Sequence, residues 1–190
     1  KTESVCVVIF AFNEEAFIGE QIDSIAAQTT PPRQIVFVDD HSTDNTLQIA
    51  QYHLLKLKEK IGEDCNITIT KNTYGKGKCK AYSLGCGLAK EKWICVAAGD
   101  DKLPPNYVEK NIEFLNKRNF DFCLNNFYVC DDKLNVIKIK NIQKFANDGI
   151  FYRNYMSGYL FIKRETLEKI IPLPDDLQFE DWFVNMWLYE

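Results

Sequence analysis

Four short apolar runs, Val5–Phe10, Ile35–Val38, Ile67–Thr70 and Trp93–Ala98, each give way to residues of helical periodicity. Val5–Phe10 is largely β-branched and unbroken by polar residues, the pattern of a strand buried on both faces. Between the runs lie connections long enough to reverse direction through a helix, so consecutive strands can pair in parallel. Four such alternations restrict the chain to a doubly wound α/β domain or a close relative.

The helices between them are readable in detail. Asn13 is suited to cap a first helix, with Glu14 and Glu15 in its opening turn. Ile18, Ile22, Ile25 and Ala26 form its apolar stripe, and Pro31-Pro32 stops it. Asp44 is placed to cap a second helix with a stripe of Leu47, Ala50, Leu54, Leu57 and Ile61. A Gly/Lys loop then leads into a helix carrying Ala81, Leu84 and Leu88. Pro104-Pro105 precedes a fourth helix with Val108, Ile112 and Leu115. After about residue 120 the alternation fails. "FDFCLNNFYVCDDKLNVIKI" reads as two strands around an Asp-Asp-Lys turn, and "SGYLFIKRETLEKI" as a strand leading into a short helix. "QFEDWFVNMWLYE" reads as a helix with Phe183, Met186 and Trp187 on one side. Residues 1–190 therefore read as one domain, an α/β half over 1–118 and a mixed α+β half over 119–190.

Composition narrows the function classes. Of 190 residues, 46% are apolar and 26% charged, as in ordinary globular chains. A net charge of −4 does not indicate a nucleic-acid surface. The seven cysteines are odd in number and include no CxxC, which favours buried free thiols in a reducing cytoplasm over disulfides or a zinc site. The longest apolar run, Val5–Phe12, is eight residues and too short to span a bilayer. No signal-peptide pattern precedes it. The chain opens at Lys1 without methionine and stops at Glu190 inside an expected helix, so it reads as trimmed, with tails, a membrane anchor or a further domain left open.

Two of the strand-like runs end in carboxylate pairs. "QIVFVDDHSTDNT" places Asp39 and Asp40 after the second run, and "WICVAAGDDKLPP" places Asp100 and Asp101 after the fourth. In open α/β sheets, ligands bind at the carboxyl ends of strands. Adjacent carboxylates repel unless a cation or hydrogen-bond donors attend them. Asp39 and Asp40 can equally brace the turn, and Asp44 cap the helix. For Asp100 and Asp101 a ligand is favoured, because Gly99 removes a side chain where a ligand could approach the backbone. Two such sites on one sheet edge suit a metal plus a polar ligand.

The motifs resemble a known family. "VCVVIFAFNEEAFIGEQIDSIAAQT" followed by "IVFVDDHSTDNT" resembles the start of the family 2 glycosyltransferases, and "WICVAAGDD", "SGYLFIKRETLEKI" and "FEDWFVNMWL" continue the match in order. The resemblance implies a GT-A fold and an inverting transfer of a hexosyl or N-acetylhexosaminyl group from a UDP-sugar donor, with Mn²⁺ or Mg²⁺. Asp40 matches the aspartate that pairs with uracil. Asp100 and Asp101 match a DxD-type motif, Asp100 near the ribose and Asp101, helped by Asp100, on the metal. Asp181 matches the catalytic base, with a helix N-cap as the other reading of the residue. Gly158, with Glu180 and Trp182 beside the base, belongs to the sugar and acceptor pocket. Lys71 and Lys76 in "KNTYGKGK" are candidates on the nucleotide side, a stretch that reads equally as a solvated basic loop, and Phe10 and Phe12, where the first strand ends, fall on the same side. The expected acceptor is a glycan or lipid-linked hydroxyl in polysaccharide, glycolipid or glycoprotein synthesis, with a cytoplasmic location, peripheral to the inner face of a membrane or free of it.

Ala98 departs from the family pattern, which often has a further aspartate there, and His41 stands where glycine or asparagine is frequent. A nucleotidyltransferase would need a glycine-rich loop with arginine after the first strand, where this chain has "AFNEEAFIG". A phospho-receiver domain would carry its acidic pair after the first strand, where Phe12-Asn13 stand. A glycosyltransferase-like module that binds a sugar nucleotide or partner without turnover is the remaining alternative.

Overall fold

The computed structural model describes residues 3–141 and 160–189. The elements run β1 (Val5–Ala11), α1 (Ile18–Ala26), β2 (Gln34–Asp39), α2 (Thr46–Ile61), β3 (Asn66–Lys71), α3 (Lys78–Leu88), β4 (Trp93–Ala98) and α4 (Tyr107–Arg118). Then follow β5 (Phe122–Leu124), β6 (Phe127–Cys130), β7 (Val136–Lys140), β8 (Leu160–Lys163), a short α5 (Arg164–Leu167) and α6 (Glu180–Tyr189). Six strands form one sheet in the order β3-β2-β1-β4-β8-β5. β1 pairs in parallel with β2 and β4, and β2 with β3. β8 is antiparallel to both β4 and β5.

Helices cover both faces, and β1 shows why its run is unbroken. Val5, Val7, Ile9 and Ala11 join one core with Ile18, Ile22 and Ile25 of α1, Leu54 and Leu57 of α2, and Val108 and Leu115 of α4. Cys6, Val8 and Phe10 join the other, with Ala81, Tyr82 and Cys86 of α3 and Val184 of α6. A strand at the centre of a two-faced sheet has no solvent side on which to place a polar residue.

Three local expectations are corrected. Asn13 does not cap α1, which starts at Ile18. Asn13 instead takes φ 55°, and its side-chain oxygen accepts from the Thr43 N–H at 2.8 Å. The expected strand through "FDFCLNNFYVC" is broken into β5 and β6, which belong to different sheets. Asn125 lies at the break and donates to Tyr107 Oη and Asn111 Oδ1, both at 3.0 Å, so the chain turns onto α4. In α6 the fully buried apolar residue is Val184, whereas Trp187 is 40% exposed. All seven cysteines are free, and five are buried. Among the described residues no helix is long and apolar enough to cross a membrane.

Candidate active site

The carboxyl ends of β1, β2 and β4 lie side by side, and the two acidic pairs emerge there. Asp39 and Asp40 are buried, and the Asp40 N–H bonds to Ala11 O at 2.9 Å, holding the ends of β1 and β2 together. Asp39 Oδ1 accepts from the Ser42 N–H and braces the turn. Asp40 does something different. Its oxygens accept the Gly77 N–H at 3.0 and 3.1 Å, and Oδ1 accepts Asn72 Nδ2 at 2.8 Å. The loop before α3 is thereby folded over the end of β2. That loop needs its glycines, since Gly75 and Gly77 take φ of 87° and 147°. Lys76 Nζ sits 4.0 Å above the Phe12 ring, a cation–π contact on the same edge. Lys71 closes β3 with an exposed side chain, in register with Asp39. His41 is held at φ 64°, with Nε2 3.0 Å from Asn72 O.

At the end of β4 the backbone turns sharply. Asp101 Oδ2 accepts the Ala98 N–H at 3.1 Å, while Gln21 Nε2 of α1 donates to Ala98 O at 3.0 Å. Asp100 is exposed and Asp101 half-buried. A Cβ on residue 99 would lie 2.8 Å from Ala11 Cβ and 3.2 Å from Glu14 Cγ, so this position must be glycine for β1 and β4 to end this close together. Glu14 stands beside the pair. Burial, and then the charges of Asp100, Asp44 and Asp101, push its carboxyl up to about 7. Glu15 faces away, accepting from the Asn45 N–H at 2.9 Å at the start of α2.

Glu180 and Asp181 open α6. Glu180 is buried, and its carboxylate meets Lys78 Nζ at 2.6 Å. Asp181 Oδ1 accepts the Trp182 N–H at 2.8 Å, and the Trp182 ring lies 6.5 Å from that of Phe179. Burial works against the charge on Lys78, but Glu180, Asp181 and Asp100 outweigh it and raise its pKa. The base candidate and the metal candidate therefore act on one ammonium. Lys78 Nζ also lies 5.8 Å from the Phe10 ring. Beside Asp100 and Asp101 opens a cavity of about 850 Å³, lined by Phe17, Tyr107, Asn111, Asn125 and Phe127 among others. Gly158 lies outside the described residues.

A divalent ion at this edge would have Asp100 and Asp101 as its protein ligands. Among the described residues no group of three or more histidine, cysteine or acidic side chains is poised around one point. The pair still fits Mg²⁺ or Mn²⁺, because such ions are commonly bound by one or two carboxylates and complete their shell with substrate phosphate and water. The Glu14 carboxyl beside the pair, raised first by burial and then by Asp100, Asp44 and Asp101, marks the edge as acidic.

Sequence reasoning singled out Asp40 without its partner Asn72, and Lys71 and Lys76 without Lys78. It treated Glu14 as a complement to a helix dipole. The Asn72 signal was accessible, since an asparagine before a Gly/Lys loop suits turn bonding. Nothing in the sequence links Lys78 to Glu180.

The fold defines the class. The structure of Staphylococcus aureus TarS 1-349 in complex with UDP superposes with a TM-score of 0.72 at 21% identity, over 95% of this chain and 53% of that one. The mannosyltransferase PcManGT from Pyrobaculum calidifontis, in complex with GDP-Man and Mn²⁺, superposes with a TM-score of 0.66 at 21% identity, over 96% of this chain and 50% of that one. The fold is of the GT-A type. The sequence matches Glycosyl transferase family 2 over residues 6–172, and the chain belongs to that family. It is 25% identical over 187 residues to the Escherichia coli UDP-Glc:alpha-D-GlcNAc-diphosphoundecaprenol beta-1,3-glucosyltransferase WfgD, covering 97% of this chain and 68% of WfgD. The chain spans between 33% and 53% of the length of three other curated relatives.

Proposed function

We propose that this chain carries the catalytic centre of an inverting, metal-dependent glycosyltransferase that moves a sugar from a UDP-sugar to an acceptor hydroxyl. The observation that carries the reading is the convergence of three elements on one sheet edge: Asp40 under the glycine–lysine loop, Asp100 and Asp101 at the end of β4, and Asp181 at the start of α6 within electrostatic reach of the same lysine as Asp100. TarS with UDP and WfgD with its UDP-Glc donor favour uridine nucleotides, and PcManGT with Mn²⁺ favours a divalent ion.

In this reading the uracil ring enters beside Asp40, whose carboxylate accepts the ring N–H that cytosine lacks. Phe10, Phe12, Lys71 and Lys76 line the nucleotide side, and Asp100 lies toward the ribose. Asp101 and Asp100 would hold the divalent ion, which would supply positive charge against that growing on the leaving diphosphate. Asp181 takes the proton of the acceptor hydroxyl as it attacks the anomeric carbon. The acceptor enters through the cavity beside Asp100, where Tyr107 and Phe127 offer faces for a sugar ring, and Trp182 follows the base along α6. The acceptor is a glycan or lipid-linked hydroxyl, presented in the cytoplasm or at the inner face of a membrane.

The test is release of UDP from a panel of UDP-sugars with Mn²⁺, scored with Asp181→Asn. General-base assistance contributes about 10²–10⁴-fold, so the variant loses at least about two orders of magnitude in transfer. UDP affinity stays near parental, because the lost interaction belongs to the transition state. Near-parental transfer by Asp181→Asn, or a product of retained configuration, refutes the mechanism. Donor binding with no turnover in the parent points instead to a module that binds without catalysis.

A further inference from the structure

The Lys78–Glu180 pair joins the two halves of the proposed site. Glu180 has a side chain only 3% exposed, and a carboxylate that deep needs a cation or several donors. Lys78 supplies the cation at 2.6 Å. Lys78 is the first residue of α3 and directly follows Gly77, whose N–H rests on Asp40. Glu180 is the first residue of α6 and directly precedes Asp181. Asp40, Gly77, Lys78, Glu180 and Asp181 thus form one unbroken path of hydrogen bonds, peptide bonds and an ion pair.

Two hydrogen bonds also tie α3 to the approach to α6. Ser83 Oγ accepts the Leu173 N–H at 2.9 Å, and Cys79 Sγ donates to Leu177 O at 3.3 Å. Beyond Leu177 the chain surfaces, with Phe179 53% exposed. The ion pair falls on the first turn itself.

We propose that Lys78 is a positioning residue for the transfer: through Glu180 it fixes the first turn of α6, and with it the Asp181 carboxylate, relative to the loop that covers Asp40. Its kinetic consequence rests on the glycosyl-transfer reading, whereas its structural consequence does not. The ammonium also neutralises Glu180, so a base can stand next to a buried carboxylate without facing its full repulsion.

The test compares Lys78→Met, Lys78→Gln and Lys78→Arg by amide hydrogen exchange and by steady-state transfer. In Lys78→Met the first-turn amides of α6 exchange about tenfold faster or more, while those of α1 and α2 are unchanged. A displaced base of this kind costs about tenfold to a hundredfold in kcat, with donor KM and UDP affinity within about twofold of the parent. Lys78→Arg restores both readouts to within about threefold, because a guanidinium can still reach Glu180. If the buried carboxylate prevents Lys78→Met from folding, Lys78→Gln still donates a hydrogen bond to Glu180 and shows a smaller loss in the same direction. Parental exchange in α6, a loss carried by donor KM alone, or an arginine variant as impaired as methionine overturns the proposal. A parent protein without transfer sinks the functional reading instead, and the exchange measurement still decides whether Lys78 holds α6.

Discussion

Removing the Asp40 carboxylate weakens the fold before any nucleotide is added. Asp40 is 6% exposed, and its oxygens take the Gly77 N–H and one Asn72 N–H. Hydrogen bonds to a charged group are worth about 1.5–3 kcal/mol each. Asp40→Ala does not forfeit two full bonds. Asn72 Nδ2 keeps Gly75 O at 2.8 Å, and the variant is relieved of burying a carboxylate. The uncompensated loss is the Gly77 N–H, together with the ordering of a loop whose glycines take positive φ. About 2–3 kcal/mol is the expected net cost, a large share of the 5–15 kcal/mol that stabilises a typical domain. Asp40→Asn loses about half as much, since one oxygen remains to accept while its new N–H₂ faces the Gly77 N–H. Urea unfolding without nucleotide or metal measures this, read from the midpoint at unchanged m-value. A loss below about 0.5 kcal/mol for Asp40→Ala would falsify the claim that this carboxylate holds the loop. The loop would then owe its shape to its own turns.

Three further outcomes are expected. In the parent, UDP raises the melting temperature more than CDP does, and in Asp40→Asn the two nucleotides act alike; equal responses in the parent refute the uracil assignment. Gly85→Ala places a methyl 2.7 Å from Val8 Cγ1 and 3.2 Å from Val38 Cγ2, both on rigid buried strands. Helix propensity favours alanine by about 1 kcal/mol and overpacking costs about 1–3, so calorimetry shows a net loss of about 1 kcal/mol, and a stabilised variant contradicts the packing. Glu14 has a folded pKa of about 7 against an unfolded 4.5, so the native state holds a proton that the unfolded state has released and stability declines as pH rises through that window. In metal-free buffer Glu14→Gln removes this decline and, after discounting for its partial exposure, gains about 1 kcal/mol over the parent above pH 7. The gain is absent at pH 4, and a pH-independent difference argues against the acidic edge.

The strands at the centre of the sheet were legible because burial on both faces leaves a one-dimensional trace. Val5–Phe10 and Trp93–Ala98 carry almost no polar residue, and α2 and α4 show stripes that match their buried sides. Asn13 misled because its side chain bonds whichever amide lies nearest, and tertiary placement gave it Thr43 rather than a helix end. β5 and β6 were read as one strand because their split depends on Asn125 reaching Tyr107 and Asn111 on α4, a contact with no periodicity. The site divides in the same way. Asp40, Asp100, Asp101 and Asp181 stand at element ends that the pattern marks, whereas Asn72 and Lys78 matter through partners brought near by the fold.

The sheet order also sets a timetable for making the protein. β8 lies between β4 and β5, although about sixty residues separate it from β4 along the chain. A ribosome that has released everything through β5 has exposed β4 with one side unpaired. Trp93 and Cys95, which later face Lys163 and Phe161 across β8, then stand on an open edge. Such an edge is a template for pairing with another chain. The distant β8 partner must also be brought back over a long sequence separation before its pairing repays the closure entropy. The interval of synthesis in which this edge lies open therefore falls between the emergence of β4 and that of Leu160–Lys163.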